Sequence, residues 1–253
     1  MNEALIKQHI KQYKEGILNQ VQQSTLLKYT GAPVIDEERL FFTLLPLLNG
    51  EEWDESKRKS AIAVALIYSA LAAHDLVKEL NARSKEQQLQ VLAGDYYSGK
   101  YYHLLASDKQ LDLIQHLSDG VATISGHKTR FYDRQIYELE QLVHSIQLIE
   151  SLSIEQLFEY YSYHEYVFVM KESLLLIALK KEIAAYEQGY QPFYISKSSH
   201  LRANINMLQL EIEKIESVLI DEIKKSNVLQ ENIKSIILEK IMKCTLEKQL
   251  REG

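Results

Sequence analysis

Residues 56–80 read SKRKSAIAVALIYSALAAHDLVKEL, and the composition of this stretch indicates the class of fold. The stretch predicts a long helix from about Ser56 to Leu80, and from Ala61 to Ile67 its side chains are apolar on nearly all sides. A helix without a polar face is usually surrounded by other helices, so we predict that this one is central in a bundle. The whole chain has only 9 Gly and 3 Pro among 253 residues, so few positions interrupt helices. The sequence therefore predicts an all-α protein.

The overall composition is that of an ordinary folded domain. Hydrophobic residues make up 46% of the chain and charged residues 25%, which is enough to bury a substantial core. No stretch rich in Pro, Gly or Ser divides the chain into parts. We therefore predict a single all-helical domain over residues 1–253.

The charge and the termini restrict the partners and the location. Acidic residues exceed basic ones by 35 to 29, a formal charge of −6, and nucleic acid is excluded because it requires a concentrated positive face. No run approaches the ~18 apolar residues of a spanning helix, which leaves only peripheral membrane contact. The single cysteine, Cys244, allows no intrachain disulfide. Met1–Ala4 lacks the start of a secretion signal, so we expect a cytoplasmic protein.

Local signals predict helices on both sides of the central one. An apolar stripe over residues 5–21 predicts an opening helix, and the breakers in Thr30–Pro33 follow it. The side chain of Asp36 can cap a second helix that runs toward Pro46. After the central helix, residues 86–106 are predicted to form another long helix.

The second half of the chain contains two signals for helix boundaries. Gly120 and Gly126 predict breaks or a kinked stretch. Ser153–Gln156, with the sequence SIEQ, has the spacing of a capping box, so we predict a helix from Ser153 to about Ala185. Residues 158–168 also alternate as a strand would, but the cap and the length favour the helix.

Residues 201–223 show the clearest periodicity. Their apolar side chains are spaced by three or four positions and form nearly a heptad seam: Leu201, Ile205, Leu208, Ile212, Ile215, Leu219 and Ile223. Because the seam spans only about three heptads, we expect it to pack against another helix of the same bundle. The alternative is a non-enzymatic helical scaffold that self-associates through residues 201–223.

A His–Asp pair lies near the end of the central helix. The chain has eight histidines, but no His-x-x-x-His or Glu-x-x-His pattern supports a zinc protease or a di-iron bundle. His74 and Asp75 leave two interpretations open. They are metal ligands of a His–Asp phosphohydrolase, or they are polar residues at the water-facing end of a buried helix.

A second motif follows some twenty residues later. Residues 91–102 read VLAGDYYSGKYY, with Gly94 and Ser98 on one helix face, where small side chains allow a close helix approach. Tyr97 and Tyr101 form a second stripe. This segment is either a buried helix whose tyrosine hydroxyls reach its rim or a partner surface with polar handles.

Together these motifs resemble the all-helical trans-prenyl diphosphate synthases, in which a His-Asp-Asp-x-x-Asp motif and an Ala-Gly-Asp helix follow in this order. With residues 127–134, HKTRFYDR, the resemblance becomes more specific, to component 1 of the bacterial heterodimeric heptaprenyl diphosphate synthases. The motifs cover about residues 60–135. The resemblance implies a helical bundle of the isoprenoid synthase fold.

The chain departs from the catalytic pattern of those synthases. Leu76 follows Asp75, Lys78 adds a positive charge, and only Glu79 restores an acid, so His74, Asp75 and Glu79 are interpreted as the remnant of a metal motif. The second half has one aspartate after Asp133, namely Asp221. A magnesium site for a diphosphate needs several converging carboxylates. We therefore expect no catalytic residue and no cofactor in this chain.

The resemblance implies a regulatory subunit that depends on a partner. That partner is catalytic component 2, which carries Mg²⁺ and elongates farnesyl diphosphate with isopentenyl diphosphate to the heptaprenyl chain of menaquinone. This subunit would complete the product tunnel or stabilise the catalytic subunit. Two clusters are candidates for contacts. The first, for the partner interface or the tunnel, is Gly94, Asp95, Tyr97, Ser98 and Tyr101.

The second cluster is a candidate for a diphosphate or partner contact and comprises His127, Lys128, Arg130, Asp133 and Arg134. The alternative for this group is a solvated helix face with internal salt bridges.

Overall fold

The computed structural model describes residues 3–77, 83–132 and 137–242, which form thirteen helices and no strand. The predicted all-α class is confirmed. Contacts divide the chain into two compact units, Met1–Val121 with Gln156–Ser162 and Ala122–Glu155 with Tyr163–Gly253. The single domain over residues 1–253 stays a prediction. No helix in the described ranges combines the length and the apolarity needed to cross a membrane.

The first unit is built around the predicted central helix. Its helices are α1 (Glu3–Gln20), α2 (Ser24–Thr30), α3 (Glu37–Thr43), α4 (Leu45–Leu48), α5 (Glu55–Asp75) and α6 (Lys85–Ser107), followed by the first part of α7 (Leu111–Thr129). Helix α5 contacts α1, α3 and, most extensively, α6. Its side chains from Ser60 to Val64 are all buried, as expected for a helix without a polar face.

Capping side chains fix several helix starts in this unit. The carboxylate of Asp36 accepts a hydrogen bond from the Arg39 backbone N–H at 2.9 Å, which confirms the predicted cap of α3. Asp54 caps α5 and Ser84 caps α6 in the same way. Gly31, at φ 73°, ends α2 in a backbone conformation that favours glycine.

The predicted breaks at Gly120 and Gly126 are wrong. Helix α7 runs without interruption through both glycines. A glycine inside a helix costs only about 1 kcal/mol relative to alanine, which packing easily offsets. At Gly120 the missing side chain has a structural use, because the Gln156 side-chain amide occupies the space where a Cβ would lie.

The predicted helix start at Ser153 is also wrong. Ser153 lies inside α8 (Leu139–Tyr160), and the next helix, α9 (His164–Glu187), begins eleven positions later, after Ser162 at φ 58°. Ser153 continues the row of buried side chains that includes Ile146 and Ile149. The periodicity of the whole helix therefore determines the structure here, and the local capping pattern does not. The Ser153 hydroxyl is buried, and no described residue forms a hydrogen bond with it. The rejection of a strand here is confirmed.

The second unit is built around α9. Helices α10 (Phe193–Lys197), α12 (Ile205–Lys225) and α13 (Glu231–Met242) contact it, and α11 (Ser199–Ala203) joins α10 to α12. The four buried apolar residues of α12 belong to the predicted seam: Leu208, Ile212, Leu219 and Ile223. Packing of the seam within the bundle is therefore confirmed.

Candidate functional site

The His–Asp and Gly–Asp motifs lie together in the first unit. The His74 ring packs on Gly94, and a Cβ added to Gly94 would lie 2.5 Å from both Cε1 and Nε2 of that ring. His74 Nε2 is 3.6 Å from Oδ1 of Asp95. The side chains of His74, Asp75 and Asp95 are exposed. Gly94 thus lets the end of α5 lie directly on α6.

The described side chains at this helix end do not by themselves form a magnesium site. Mg²⁺ prefers an octahedron of oxygen ligands, whereas the Asp95 carboxylate faces an imidazole. Within the described ranges, no three or more His, Cys, Asp or Glu side chains are grouped so that they could hold a metal ion. Glu79 lies outside the described residues. The interpretation of His74, Asp75 and Glu79 as a metal-motif remnant stays a prediction.

Tyr97 and Tyr101 are buried inside the first unit. Their exposed fractions are 3% and 2%. Burial raises the pKa of both phenols, and a hydrogen bond between Tyr97 and Thr30 partly opposes this for Tyr97. Helix α2, which carries Thr30, packs on α6 and covers this side. These two tyrosines therefore belong to the core of the first unit, and the assignment of their cluster to a partner interface or the tunnel stays a prediction.

The opposite side of α6 is exposed and partly apolar. We define the α6 outer face as Val91, Leu92, Asp95, Gly99 and Tyr102. The exposed fractions of Leu92 and Tyr102 are 54% and 40%, and a Cβ added to Gly99 would meet no atom of the described residues within 4 Å.

Within residues 91–102, no sequence pattern singled out Val91, Leu92, Gly99 and Tyr102. The paired tyrosines 96–97 and 101–102 place rings on both sides of the helix, so the sequence did not show which side is covered. Ser98, which is partly exposed, lies beside this face.

The basic cluster lies in the second unit, at the end of α7. His127 and Arg130 both contact Ser145 of α8: the His127 Nδ1 is 3.0 Å from the Ser145 hydroxyl oxygen, and Arg130 Nη1 donates to it at 3.3 Å. Burial lowers the pKa of His127, and the charges of Arg130 and His144 lower it further. Of the predicted cluster, Asp133 and Arg134 lie outside the described residues.

Aromatic rings support the same cluster. The Lys128 ammonium lies 5.6 Å from the centre of the Phe193 ring, and the Arg130 guanidinium lies 5.6 Å from the centre of the Tyr137 ring. Phe131 is buried against Phe193 at a centroid distance of 6.1 Å. Ser145 and Phe193 could not be predicted from the sequence, because neither is near the cluster along the chain.

Solved structures with similar folds are prenyl diphosphate synthases. Heptaprenyl diphosphate synthase from Staphylococcus aureus matches with a TM-score of 0.63 at 16% identity, over 96% of this chain and 98% of that one. Geranylgeranyl pyrophosphate synthase from Lactobacillus brevis matches with a TM-score of 0.67 at 11% identity, over 95% and 96% of the two chains. At these identities the likeness establishes the fold.

Sequence comparison establishes the family. Heptaprenyl diphosphate synthase component 1 of Geobacillus stearothermophilus is 38% identical over 96 residues, a stretch that covers 38% of this chain and 44% of that protein. The model of the family described as heptaprenyl diphosphate synthase (HEPPP synthase) subunit 1 matches residues 24–228, which is most of the chain. The chain therefore belongs to the family of heptaprenyl diphosphate synthase subunit 1.

Proposed function

We propose that this chain is the non-catalytic subunit of a heterodimeric heptaprenyl diphosphate synthase. Its partner, catalytic component 2, would hold Mg²⁺ and elongate farnesyl diphosphate with isopentenyl diphosphate. The heptaprenyl product would serve as the side chain of menaquinone. The family and the prenyl-synthase fold support this assignment of the subunit.

The small number of carboxylates at the end of α5 supports a non-catalytic role. A departing diphosphate is neutralised by metal ions that several carboxylates hold in place. At the position of the His-Asp-Asp-x-x-Asp motif, Asp75 is followed by Leu76. The nearby Asp95 carboxylate faces His74. Only Asp221 remains after Asp133 to supply a second aspartate cluster. This distribution of carboxylates favours a metal site on the partner.

The contribution of this subunit would be structural. A growing prenyl chain must leave water and therefore needs a long apolar tunnel, closed where the product ends. A second prenyl-synthase-like bundle can complete such a tunnel or hold the catalytic subunit in its active conformation. Either role requires a stable contact between the two subunits.

We assign that contact to the α6 outer face. Exposed Leu92 and Tyr102 are side chains of the kinds that stable interfaces bury, and the open space at Gly99 allows another helix to approach closely. Tyr102 is held in place by a 3.0 Å hydrogen bond to the Ser118 hydroxyl of α7. The face therefore combines apolar area with a fixed aromatic ring.

Reconstitution of activity tests the proposal. The purified chain alone, component 2 alone and the mixture are incubated with farnesyl diphosphate, isopentenyl diphosphate and Mg²⁺, and the products are separated by chain length. We expect long-chain product from the mixture and none from this chain alone. Robust turnover by the isolated chain, or a mixture no more active than component 2 alone, would overturn the proposal.

A further inference from the structure

In the basic cluster at the end of α7, one buried hydroxyl fixes two side chains, Arg130 and His127. Ser145 has no exposed surface, and its hydroxyl donates to the Gln141 carbonyl oxygen at 2.8 Å. Its oxygen can therefore only accept from its two other neighbours, the Arg130 guanidinium and the His127 Nδ1–H. Arg130 lies just beyond the end of α7 and His127 lies in its last turn. Both side chains contact the same atom of α8, the Ser145 hydroxyl oxygen.

This arrangement leaves donors of both side chains available to a ligand. Arg130 donates one hydrogen bond, from Nη1 to Ser145. The other N–H groups of its planar guanidinium can donate paired hydrogen bonds to phosphate oxygens. In His127, Nδ1 is used and Nε2 has no hydrogen bond within the described residues. Nε2 becomes a donor once the ring is protonated.

Arg130 is a permanent cation beside the neutral His127 ring. Within residues 137–242 and 83–132, no carboxylate forms an ion pair with Arg130. The carboxylates on the adjacent parts of α8 and α9 are used elsewhere: Glu150 accepts from the Tyr194 hydroxyl at 2.6 Å, and Glu182 accepts from the Ile195 backbone N–H at 2.9 Å. Within the described ranges, the charge of the Arg130 guanidinium is therefore not paired with a carboxylate and can attract an anion.

We propose that His127 and Arg130, held by Ser145, bind the diphosphate group of a small phosphate ester. A small anion fits better than an acidic protein segment, because the side chains of His127 and Arg130 are both partly buried and tethered to a buried hydroxyl. Only the identification of this ester as an isoprenoid diphosphate rests on the proposed function. Binding of inorganic pyrophosphate does not depend on it.

Proton uptake provides a signature of this site. The contact with Ser145 favours a neutral His127 ring with its proton on Nδ1, and burial together with the charges of Arg130 and His144 lowers the pKa for a second proton. A bound anion would raise that pKa, so binding near neutral pH should take up a proton at Nε2. Calorimetric titrations in two buffers of different ionisation enthalpy measure this uptake directly. An anion held by lysines on an open surface would take up almost none.

The experiment is calorimetric titration of the full chain with pyrophosphate and, separately, with isopentenyl diphosphate at low salt. We expect both to bind, Arg130→Gln to weaken binding at least tenfold, and His127→Gln to abolish the proton uptake. Arg202→Gln, at an exposed site on α11, is the matched control and should bind like the wild-type chain. If isopentenyl diphosphate binds no more tightly than pyrophosphate, the site recognises the diphosphate group alone.

Three outcomes would overturn the proposal. The first is a wild-type chain that binds neither ligand, and the second is an Arg130→Gln variant that binds as tightly as the wild type. The third is an Arg130→Gln variant that loses only its association with component 2, which would make the cluster a partner contact. Unfolding curves of each variant separate these results from misfolding. Failure here leaves the reconstitution test of the proposed function unaffected.

Discussion

The phenol oxygen of Tyr161 lies 2.9 Å from the hydroxyl oxygen of Ser60, 101 positions earlier in the chain. Both groups reach Oε1 of Gln110, which accepts from Ser60 at 2.7 Å and from Tyr161 at 3.2 Å. The amide nitrogen of Gln110 donates to the Ser56 hydroxyl at 2.7 Å and to the Asp108 carboxylate at 2.8 Å. One buried glutamine therefore joins α5, the connection between α6 and α7, and the segment that follows α8.

Replacing that glutamine should destabilise the first unit. Gln110 is only 6% exposed, so Gln110→Ala leaves the hydroxyls of Ser60 and Tyr161 without their shared acceptor in a buried site. We expect a loss of about 1–3 kcal/mol in the free energy of unfolding, the usual cost of a buried polar group that loses its partner. Urea denaturation followed by circular dichroism measures it.

The matched control for this prediction is Gln115→Ala, at an exposed position of α7. It should change stability by less than about 0.5 kcal/mol. If the Gln110 and Gln115 variants unfold at the same urea concentration, the network contributes nothing to stability.

Such long-range contacts mark the limit of what the sequence could predict. Periodicity and caps are local, so the cap at Asp36, the central position of α5 and the buried seam of α12 could be predicted. The pairing of Gln110 with Ser60 and Tyr161 depends on how helices approach each other, which no local pattern encodes. At Ser153 a local pattern gave a wrong prediction: its sequence resembles a capping box, but the residue is buried in the middle of α8.

The candidate site was predictable to a similar extent. The sequence singled out His74 and Gly94 separately, and the close packing of α5 on α6 brings them together. It did not distinguish buried Tyr97 from exposed Tyr102, because the choice depends on α2 covering one side of α6. Only the fold could identify Ser145 as the common contact of His127 and Arg130.

Two glycines of α6 should respond differently to alanine. At Gly99 a Cβ would meet no neighbour, so Gly99→Ala should stabilise the chain by about 0.5–1 kcal/mol through helix propensity. At Gly94 the added Cβ would lie 2.5 Å from the His74 ring. Because that ring is partly exposed, we expect it to rotate away, so Gly94→Ala gains less stability and separates His74 from Asp95.

Thermal unfolding and the NMR signals of the His74 ring measure the two effects, with Gly99→Ala as the control. Equal stabilisation by both substitutions, together with unchanged His74 signals, would contradict the close contact between His74 and Gly94.

Glu182 should make the stability of the chain depend on pH. Burial raises its pKa from the ordinary value of 4.5 to about 7, the nearby Glu150 charge adds to this, and backbone N–H groups of α10 oppose it. The folded chain therefore binds more protons than the unfolded chain between these two values. Stability must fall as pH rises from about 4.5 to about 7, because the carboxylate ionises in a buried position.

Glu182→Gln removes this dependence, since the amide stays neutral and its oxygen can still accept from Ile195. Between pH 4.5 and 7.5 the wild type should lose roughly 3 kcal/mol relative to the variant, at 1.36 kcal/mol per pKa unit. Urea denaturation at several pH values measures the difference, and Glu213→Gln, at an exposed site on α12, should follow the wild type. Parallel stability curves for the wild type and Glu182→Gln would show that the Glu182 pKa is ordinary.

The α6 outer face should be required for association with component 2. Leu92→Glu places a charge at the centre of an apolar face that the proposed complex buries, and an uncompensated charge in an interface is strongly unfavourable. Leu92 is 54% exposed in the isolated chain, so its stability should change by less than about 0.5 kcal/mol. Substitutions of Tyr97 or Tyr101 are unsuitable for this test, because both rings are buried and their loss would damage the core.

Val218→Glu is the matched control, because Val218 is 55% exposed on α12 in the other unit. We expect Leu92→Glu to reduce co-purification with component 2 and to weaken the dissociation constant at least tenfold, while Val218→Glu behaves like the wild type. The reverse pattern would move the subunit contact to α12. If both variants bind component 2 normally, the α6 outer face is not the interface, and the contact must be sought on the remaining exposed helices.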